Sequence, residues 1–471
     1  MNTSTDLDDY WTQQYSPPET PSEPHLNIET IEGVEPLDAQ FGVVEPKTVP
    51  DALYGPLFGQ PEPREAELEQ AGGDPAAVPP MHTYAILDAA KVGGLPELLA
   101  ASGLEHSCLF KGEAFEELAE VAPWIVQLED GNSFTRNLFT RSDAPWHLCD
   151  KEPGIYLRSR GTLDETWRHF RKFTKVKSSD ETRAIFRFWD AVTARVYFSG
   201  IRANQARIEQ FFRLPSGTSI ELIVVDPFHN TLHLTPPHSD ASNRQRRPLI
   251  FEEHDHHLMK NVSYYALSNE IAHWLNAAYP SEFERFSRVD MDAIAKHVVS
   301  VGRTFNLPMK EDFSYLAQMM MAMGGWFLQD ANHVALLHIL RDSEPKKAKR
   351  LEDTCLGHHE TTPQAELMRQ WPQVREYLAA LPAAERITAE RFGTFRTEFL
   401  KDQAPDLSGT FSATITRLRD IGLSGEQQEG RAIVLSLMLG PRFFEDPFKP
   451  WSHLPPEQAV DTAWNSTIGL S

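Results

Sequence analysis

Five apolar runs between Thr83 and Asp190 decide the fold of this chain: TYAILDA (residues 83–89), SCLFKG (107–112), APWIVQL (122–128), GIYLRSR (154–160) and RAIFRFWD (183–190). Each run has the length of a β-strand and is bounded by glycine, proline or charged residues. Between the runs, apolar residues recur every three or four positions, which is typical of amphipathic helices. Strands that alternate with helices predict an α/β fold, with a mostly parallel sheet and flanking helices on both faces.

Three amphipathic helices are predicted between these strands. Their core-facing stripes are Leu95, Leu98 and Leu99 in the first helix, Phe115, Leu118, Ala119 and Ala122 in the second, and Leu163, Trp167 and Phe170 in the third. Thr162 and Glu165 have the spacing of a capping box, which predicts that the third helix begins there. Further along, the runs 220–225 and 231–234 are apolar and predict a β-hairpin.

Familiar catalytic signatures are missing from the region between Thr83 and Asp190. The sequence has no G-x-S-x-G elbow, no phosphate-binding G-x-x-x-x-G-K-[ST] loop and no H-E-x-x-H pair. Gly93 and Gly94 stand between a strand and a helix, where backbone N–H groups could receive a phosphate. Asp88 and Asp190 stand near predicted strand ends, where open α/β sheets place ligand-binding groups. A hydrolase or nucleotide-binding enzyme at these strand ends is therefore an alternative, although turn and cap roles suit both aspartates.

Two histidine-containing stretches contain side chains that can act as metal ligands. Residues 252–257 read EEHDHH, in which His254 and His257 would share a helix face. Cys355 lies near His358 and His359, but no C-x-x-C pair completes a zinc site. The sequence therefore predicts no metal and no cofactor.

Composition limits the class of protein. The 471 residues include 45 basic and 67 acidic side chains, for a formal net charge of −22. Such a charge disfavours nucleic-acid binding, which needs a basic surface. Three cysteines form no even disulfide framework and favour a reducing compartment. The first residues lack a secretory signal pattern, and no apolar run is long enough to span a membrane, so a cytoplasmic location without membrane contact is expected.

The acidic charge is concentrated at the start of the chain. Residues 1–80 contain sixteen acidic and two basic side chains, together with thirteen of the 34 prolines. This composition predicts a disordered acidic leader over residues 1–81. Two aromatic and apolar islands interrupt it, at Tyr10 and Trp11 and at residues 53–58. They are either incidental or anchors that order on a partner or on the chain's own surface.

The later part of the chain is predicted to be helical and weakly repetitive. An α/β domain over residues 82–248 is followed by helical regions over 249–345 and 346–471. A shift of 116 residues aligns 300–330 with 416–446 without a gap. It pairs Arg303 with Arg419, Leu307 with Leu423, Gly324 with Gly440, Phe327 with Phe443 and Asp330 with Asp446. We interpret these segments as two copies of one helical unit.

The runs YAILDAA, CLFKG, APWIVQL, GIYLRSR and FRFWD, in this order and spacing, resemble the adaptor or effector-chaperone domain of bacterial type VI secretion systems, long catalogued as a domain of unknown function. The resemblance covers about residues 82–200. Trp124 and Trp189 depart from it, because the family more often has other aromatics there. The resemblance implies a cytoplasmic protein without enzymatic activity that binds a toxic effector, stabilises it and loads it onto a spike protein of the VgrG type.

The cargo-binding surface is predicted at the C-terminal ends of the strands. Its candidate residues are Trp124, Arg158, Arg160, Arg187, Trp189 and Asp190, with Arg158 and Arg160 expected to be exposed rim charges. In the alternative, Arg187 and Asp190 only cap the sheet, the tryptophans are core, and cargo sits on the helical repeats. A toxin-neutralising immunity protein is a further alternative function.

Overall fold

The structure is a computed structural model that divides into two compact units, residues 1–263 and 264–471. It describes residues 25–178, 181–225, 231–237, 249–329, 333–342, 344–359, 367, 369–380, 398–399, 414, 416–423, 426–440 and 442–468. The division falls within one long helix, Glu253–Ala278.

The first unit contains ten strands and eight helices in its described part, before the long helix that crosses the division. The strands are β1 (Asn27–Ile31), β2 (His82–Asp88), β3 (His106–Cys108), β4 (Pro123–Leu128), β5 (Gly154–Ser159), β6 (Lys175–Ser178), β7 (Arg183–Ile185), β8 (Ile220–Val224), β9 (Thr231–Thr235) and β10 (Ile250–Phe251). The helices are α1 (Asp51–Phe58), α2 (Glu65–Gln70), α3 (Leu95–Ser102), α4 (Glu113–Leu118), α5 (Ser133–Phe139), α6 (Leu163–Phe170), α7 (Ala191–Gly200) and α8 (Gln205–Phe212).

The main sheet has seven strands in the order β1-β9-β8-β5-β2-β4-β3, and every neighbouring pair is antiparallel. The prediction of a mostly parallel sheet is therefore wrong. Two helical connections do join strands of the same direction: β2 with β3 through α3, and β4 with β5 through α5. In each case one antiparallel strand lies between the two, β4 in the first and β2 in the second. The spacing of apolar residues predicts each strand and helix. It does not show which strand lies between two others in the sheet.

Helices cover both faces of the main sheet, as the sequence predicts. Tyr84, Ile86 and Leu157 point to one face and pack with α6, α7 and α8. Ala85 and Tyr156 point to the other face and pack with α1, α3 and α5. The predicted capping box at the start of α6 is confirmed, since the Thr162 hydroxyl accepts from the Glu165 N–H at 3.3 Å.

The last of the five apolar runs forms only a short strand. Arg183–Ile185 is β7, which belongs to a separate three-stranded sheet of order β10-β6-β7. Phe186, Phe188 and Trp189 continue as buried core residues outside any strand. Their rings pack among those of α6, α7 and α8, with Phe186 and Tyr197 centroids 4.8 Å apart. Aromatic packing therefore takes the place of strand pairing after Ile185.

The predicted disordered leader is wrong for the part that the structure describes, residues 25–81. β1 pairs antiparallel with β9, in the register Asn27 to Thr235, and forms an edge of the main sheet. Leu53 and Leu57 on α1 are completely buried against the sheet. A few apolar residues at helical spacing are enough here, because the sheet supplies the rest of their surroundings. Residues 1–24, with Tyr10 and Trp11, lie outside the described residues.

The second unit is helical. Its helices are the end of α9 (Glu253–Ala278), α10 (Pro280–Phe283), α11 (Arg288–Thr304), α12 (Lys310–Met323), α13 (Val334–Arg341), α14 (Lys347–His359), α15 (Trp371–Ala380), α16 (Glu426–Leu439) and α17 (Pro456–Ile468). One core combines α15, α16 and α17 around the buried Trp464. Among the described residues, no helix is both long and apolar enough to cross a membrane.

The two segments aligned by the shift of 116 residues have the same backbone course where both are described. Asn306 and Gly422 occupy corresponding left-handed positions, with φ of 52° and 83°. Gly324 and Gly440 correspond in the same way, with φ of 96° and 91°. Each is followed by a short 3₁₀ turn, Phe327–Gln329 or Phe443–Glu445. Asp330 lies outside the described residues.

These two turns also contact each other reciprocally. The Arg442 guanidinium lies 3.5 Å from the centre of the Trp326 ring, and these residues occupy equivalent positions. Arg442 Nη1 donates to Gln329 Oε1 at 3.1 Å, while Trp326 Nε1 donates to the carbonyl of Glu445 at 3.3 Å. Gln329 and Glu445 are again equivalent, so a local pseudo-twofold relation connects the two turns.

Leu57→Ala is expected to destabilise the first unit by about 2–5 kcal/mol, because it leaves a cavity under α1. The matched control is Phe41→Ala, which removes a side chain that is 94% exposed in the same leader and should cost less than about 0.5 kcal/mol. Urea denaturation followed by tryptophan fluorescence measures both. Equal stability of the two variants would contradict the placement of the leader in the core.

Gly324→Ala is expected to destabilise the second unit by about 1–3 kcal/mol, because its backbone conformation is almost restricted to glycine. A Cβ there would also lie 3.1 Å from the carbonyl oxygen of Leu439. Gly55→Ala is the control, since a Cβ at that helical position has no atom within 4 Å. Thermal denaturation compares the two variants. A Gly324→Ala protein as stable as the wild type contradicts the turn geometry.

Candidate functional site

The strands of the main sheet begin and end at two opposite edges, and the residues of the predicted strand-end site are divided between these two. β2 runs antiparallel to β5, so Leu87 near the end of β2 pairs with Gly154 at the start of β5. Arg158 lies near the end of β5, where it pairs with Thr83 of β2, and Arg160 directly follows β5. Both therefore lie at the edge where β2 begins. Asp88 lies at the other edge. The six candidate residues consequently do not form one surface.

At the end of β2, five charged residues form what we call the β2-end cluster: Asp88, Lys91, Glu152, Arg187 and Asp190. Asp88 is buried and accepts from Arg187 Nη2 at 2.5 Å. Lys91 Nζ lies 2.7 Å from Asp190 Oδ2 and 3.2 Å from Glu152 Oε2. Asp190 also caps α7, because its Oδ1 accepts from the Thr193 N–H at 3.0 Å. The cluster ties the end of β2 to the start of α7.

The pKa values of two cluster members are shifted toward the charged form. Burial alone would raise the pKa of Asp190, but the Lys91 ammonium and the hydrogen bonds from Thr193 outweigh it, so the pKa lies below the usual range. Burial alone would lower the pKa of Lys91, but Asp190 and Glu152 outweigh it, so that pKa is raised. Both residues are therefore ionised at neutral pH and stabilise each other.

The carboxylates proposed for an enzymatic site both have structural partners. Asp88 accepts from the Ala90 N–H at 3.0 Å as well as from Arg187. Asp190 pairs with Lys91 and caps α7. Gly94 is the N-cap of α3, with φ of 69°. The N–H of the following Leu95 donates to the Val92 carbonyl at 3.2 Å. These contacts give the residues turn and cap roles.

Both tryptophans of the predicted site are core residues. Trp189 is buried among the aromatic rings near α6, with its centroid 5.2 Å from that of Phe188. Trp124 is buried on β4, and its Nε1 donates to the Ala119 carbonyl at 3.0 Å. Neither presents a large exposed ring to a partner, but Trp124 supports the surface segment that contains Ala119.

Arg158 and Arg160 hold the leader in place, and their predicted exposure is wrong. Arg158 is 2% exposed, and one of its Nη atoms donates to the Gly59 carbonyl. Burial lowers its pKa to about 10, despite the favourable effect of Glu221. Arg160 donates to the carbonyls of Pro79 at 2.6 Å and Pro61 at 2.9 Å. Replacing Arg158 with glutamate is expected to destabilise this part of the unit, because it would bury a carboxylate without a partner.

The histidine-rich stretch at the start of α9 has structural contacts. Asp255 is buried, accepts from the Tyr197 hydroxyl at 2.7 Å and pairs with Arg207 at 2.6 Å. His254 and His257 are exposed. The described residues contain no group of three or more His, Cys, Asp or Glu side chains that could hold a metal ion. The side chains of Cys355, His358 and His359 lie outside that description.

One exposed apolar surface was missed by the sequence analysis. We define the α4 face as Phe115, Leu118 and Val121, which are 40%, 39% and 51% exposed. The sequence predicted that Phe115 and Leu118 face the core together with Ala119 and Ala122. Ala122 is fully buried, but the larger side chains of that stripe remain half exposed. The alternation of glutamates with apolar residues in EAFEELAEV was the available signal.

A second exposed apolar surface lies on the loop between β1 and α1. Phe41 and Val44 are 94% and 96% exposed at its tip. The base of the loop is closed by two hydrogen bonds between Gln40 and the Lys47 backbone, at 3.0 and 2.8 Å. Arg136 on α5 also donates to the Lys47 carbonyl at 3.1 Å. These hydrogen bonds hold the base of the loop, while the apolar side chains at its tip are exposed to solvent.

Comparison with known proteins identifies one region. Residues 83–207 match the sequence profile of a family described as a domain of unknown function (DUF4123), which covers a little over a quarter of the chain. No curated protein and no solved structure matches the chain.

Asp190→Asn is expected to lower the free energy of unfolding at pH 7 by about 1–3 kcal/mol, because the hydrogen-bonded charge for Lys91 is lost. The folded-state pKa of Asp190 is depressed, so its contribution is complete above the unfolded pKa and is lost as pH falls through the folded one. The difference from wild type should therefore stay constant from pH 7 to about pH 5 and shrink as the pH falls below about 4.

Urea denaturation at several pH values measures this difference. Asp164→Asn is the control, since its pair with Arg168 is more than half exposed on both sides and should contribute less than about 1 kcal/mol. A wild-type advantage that stays constant from pH 7 to acid would contradict a charge-dependent role for Asp190.

Proposed function

We propose that this protein is an adaptor of bacterial type VI secretion that binds a toxic effector, stabilises it in the cytoplasm and loads it onto a spike protein of the VgrG type. The observation that carries the proposal is the match of residues 83–207 to DUF4123, a family linked to type VI effectors. The match includes β2, β3, β4 and β5, whose sequences carry the resemblance. It therefore concerns the central strands of the main sheet.

The surface of the first unit supports a protein-binding role. The α4 face and the tip at Phe41 and Val44 are exposed and apolar, and each belongs to a segment whose base is fixed by hydrogen bonds. Side chains of this kind supply most of the free energy of protein association when a partner covers them. Two separate surfaces suit a protein that holds cargo and spike at the same time.

Enzymatic activity is not part of the proposal. Asp88 and Asp190, which an enzyme at the strand ends would use, are engaged by Arg187 and Lys91. An immunity protein would also bind a toxin, but it would be needed for survival rather than for export. The difference in phenotype separates these two binding functions.

Deletion of the gene for this protein should stop export of one type VI effector, while a structural tube protein of the same machine is still released. The intracellular level of the effector should also fall, because its apolar segments are no longer covered. Immunoblots of culture medium and cells measure both proteins, and a plasmid copy of the gene should restore export.

Two results contradict the proposal. Undiminished effector export without the gene would remove the adaptor role. Death of the deletion strain by its own toxin, with export intact, would favour an immunity protein instead.

A further inference from the structure

The α4 face is a continuous apolar row on a defined backbone. Phe115, Leu118 and Val121 are spaced three residues apart, and the chain passes from α4 into a 3₁₀ turn at Ala119–Val121. A 3₁₀ turn has three residues per turn, so this spacing keeps the side chains in line. The row therefore extends beyond the last turn of α4.

The inward contacts explain why this row remains exposed. Ala114 and Ala119 are the small residues that pack toward the core. Trp124 holds the segment from below: its Nε1 donates to the Ala119 carbonyl at 3.0 Å, and its ring meets Phe115 edge to face with centroids 6.1 Å apart. Because the alanines already fill the inner side, the large side chains have no place in the core.

The neighbouring sheet edge is partly blocked, which leaves the helix face as the accessible surface. β3 is the edge strand of the main sheet. The Cys108 carbonyl at its end accepts from Trp167 Nε1 at 2.7 Å. Arg171 also stacks on the Trp167 ring at 4.8 Å. A partner strand therefore cannot pair freely with the end of β3.

The rim of the α4 face is strongly acidic. Glu113, Glu116, Glu117 and Glu120 are all exposed. Throughout the described chain, none of these four carboxylates is held in an ion pair, whereas Glu152 and Glu221 in the same unit are paired. Four unpaired negative charges around an apolar row repel an anionic membrane surface and nucleic acid, and they attract a cationic partner.

We infer that the α4 face binds a basic amphipathic segment of the effector, in which leucine-like side chains are flanked by lysine or arginine. The inference rests on the proposed function for the identity of the partner. The apolar side chains of the segment cover Phe115, Leu118 and Val121, and its cations pair with the glutamates. Such a contact excludes water at the centre and keeps ion pairs at the rim.

The first experiment measures binding of the effector toxin whose export requires this protein, co-expressed and purified with it. Leu118→Ser with Val121→Ser should weaken the complex at least tenfold. The substitutions Glu116→Gln, Glu117→Gln and Glu120→Gln should weaken it at least fivefold at low salt, with a smaller effect at high salt because ionic strength screens the rim charges.

Matched controls come from exposed residues of the second unit. Val289→Ser with Met309→Ser removes exposed apolar side chains, and Glu282→Gln, Glu284→Gln and Glu311→Gln remove exposed acids. Both controls should bind within twofold of wild type. All variants are checked for an unchanged melting transition.

A second experiment tests the surface without the effector, using a labelled peptide of leucine and lysine that forms an amphipathic helix. Fluorescence anisotropy should show binding to wild type, weaker binding to the Leu118→Ser and Val121→Ser variant, and none for a leucine and glutamate peptide. Equal binding of both peptides would overturn the inference.

The outcomes separate the two proposals. A wild-type protein that forms no complex with the toxin overturns the proposed function and, with it, the effector as occupant. A complex that the α4 variants form as tightly as wild type overturns only the present inference and leaves the adaptor function standing.

Discussion

Antiparallel pairing of β2 with both β4 and β5 is the constraint on which the rest of the first unit depends. It places the end of β2 and the end of β5 at opposite edges of the sheet. The charged residues at the ends of these two strands therefore contact different parts of the unit. The β2-end cluster joins the sheet to α7, while Arg158 and Arg160 bind the leader across the other edge. A parallel sheet would have collected them in one crevice.

Charge burial explains why the strand ends are poor docking surfaces. Arg158 is almost completely covered, and Asp88 and Asp190 each receive a cation and a backbone N–H. Asp88 and Asp190, which are satisfied in this way, have little free energy to gain from a partner, and separating them from their cations costs more than separating an exposed pair does. Exposed apolar surfaces are found instead on α4 and on the loop at Phe41.

The sequence predicts the elements of this unit better than their arrangement. The runs at β2, β4 and β5, the flanking helices and the Thr162 cap are visible because they depend on local spacing. The insertion of β4 between β2 and β3 depends on contacts between distant residues, which spacing does not record. The acidic composition of the leader predicts disorder, although Leu53 and Leu57 lie at helical spacing within it and are buried. The periodicity of α4 identifies its apolar side, but it does not show whether other parts of the protein cover that side, and Phe115 and Leu118 remain half exposed.

Hydrogen–deuterium exchange of the protein, alone and with the effector whose export requires it, tests the central claim most directly. The account predicts that the effector slows exchange in peptides covering residues 111–122, because the α4 face becomes covered and its backbone opens less often. Peptides at Arg158–Arg160 and Arg187–Asp190 should keep their exchange rates. Protection confined to those strand-end peptides, with residues 111–122 unchanged, would contradict the account.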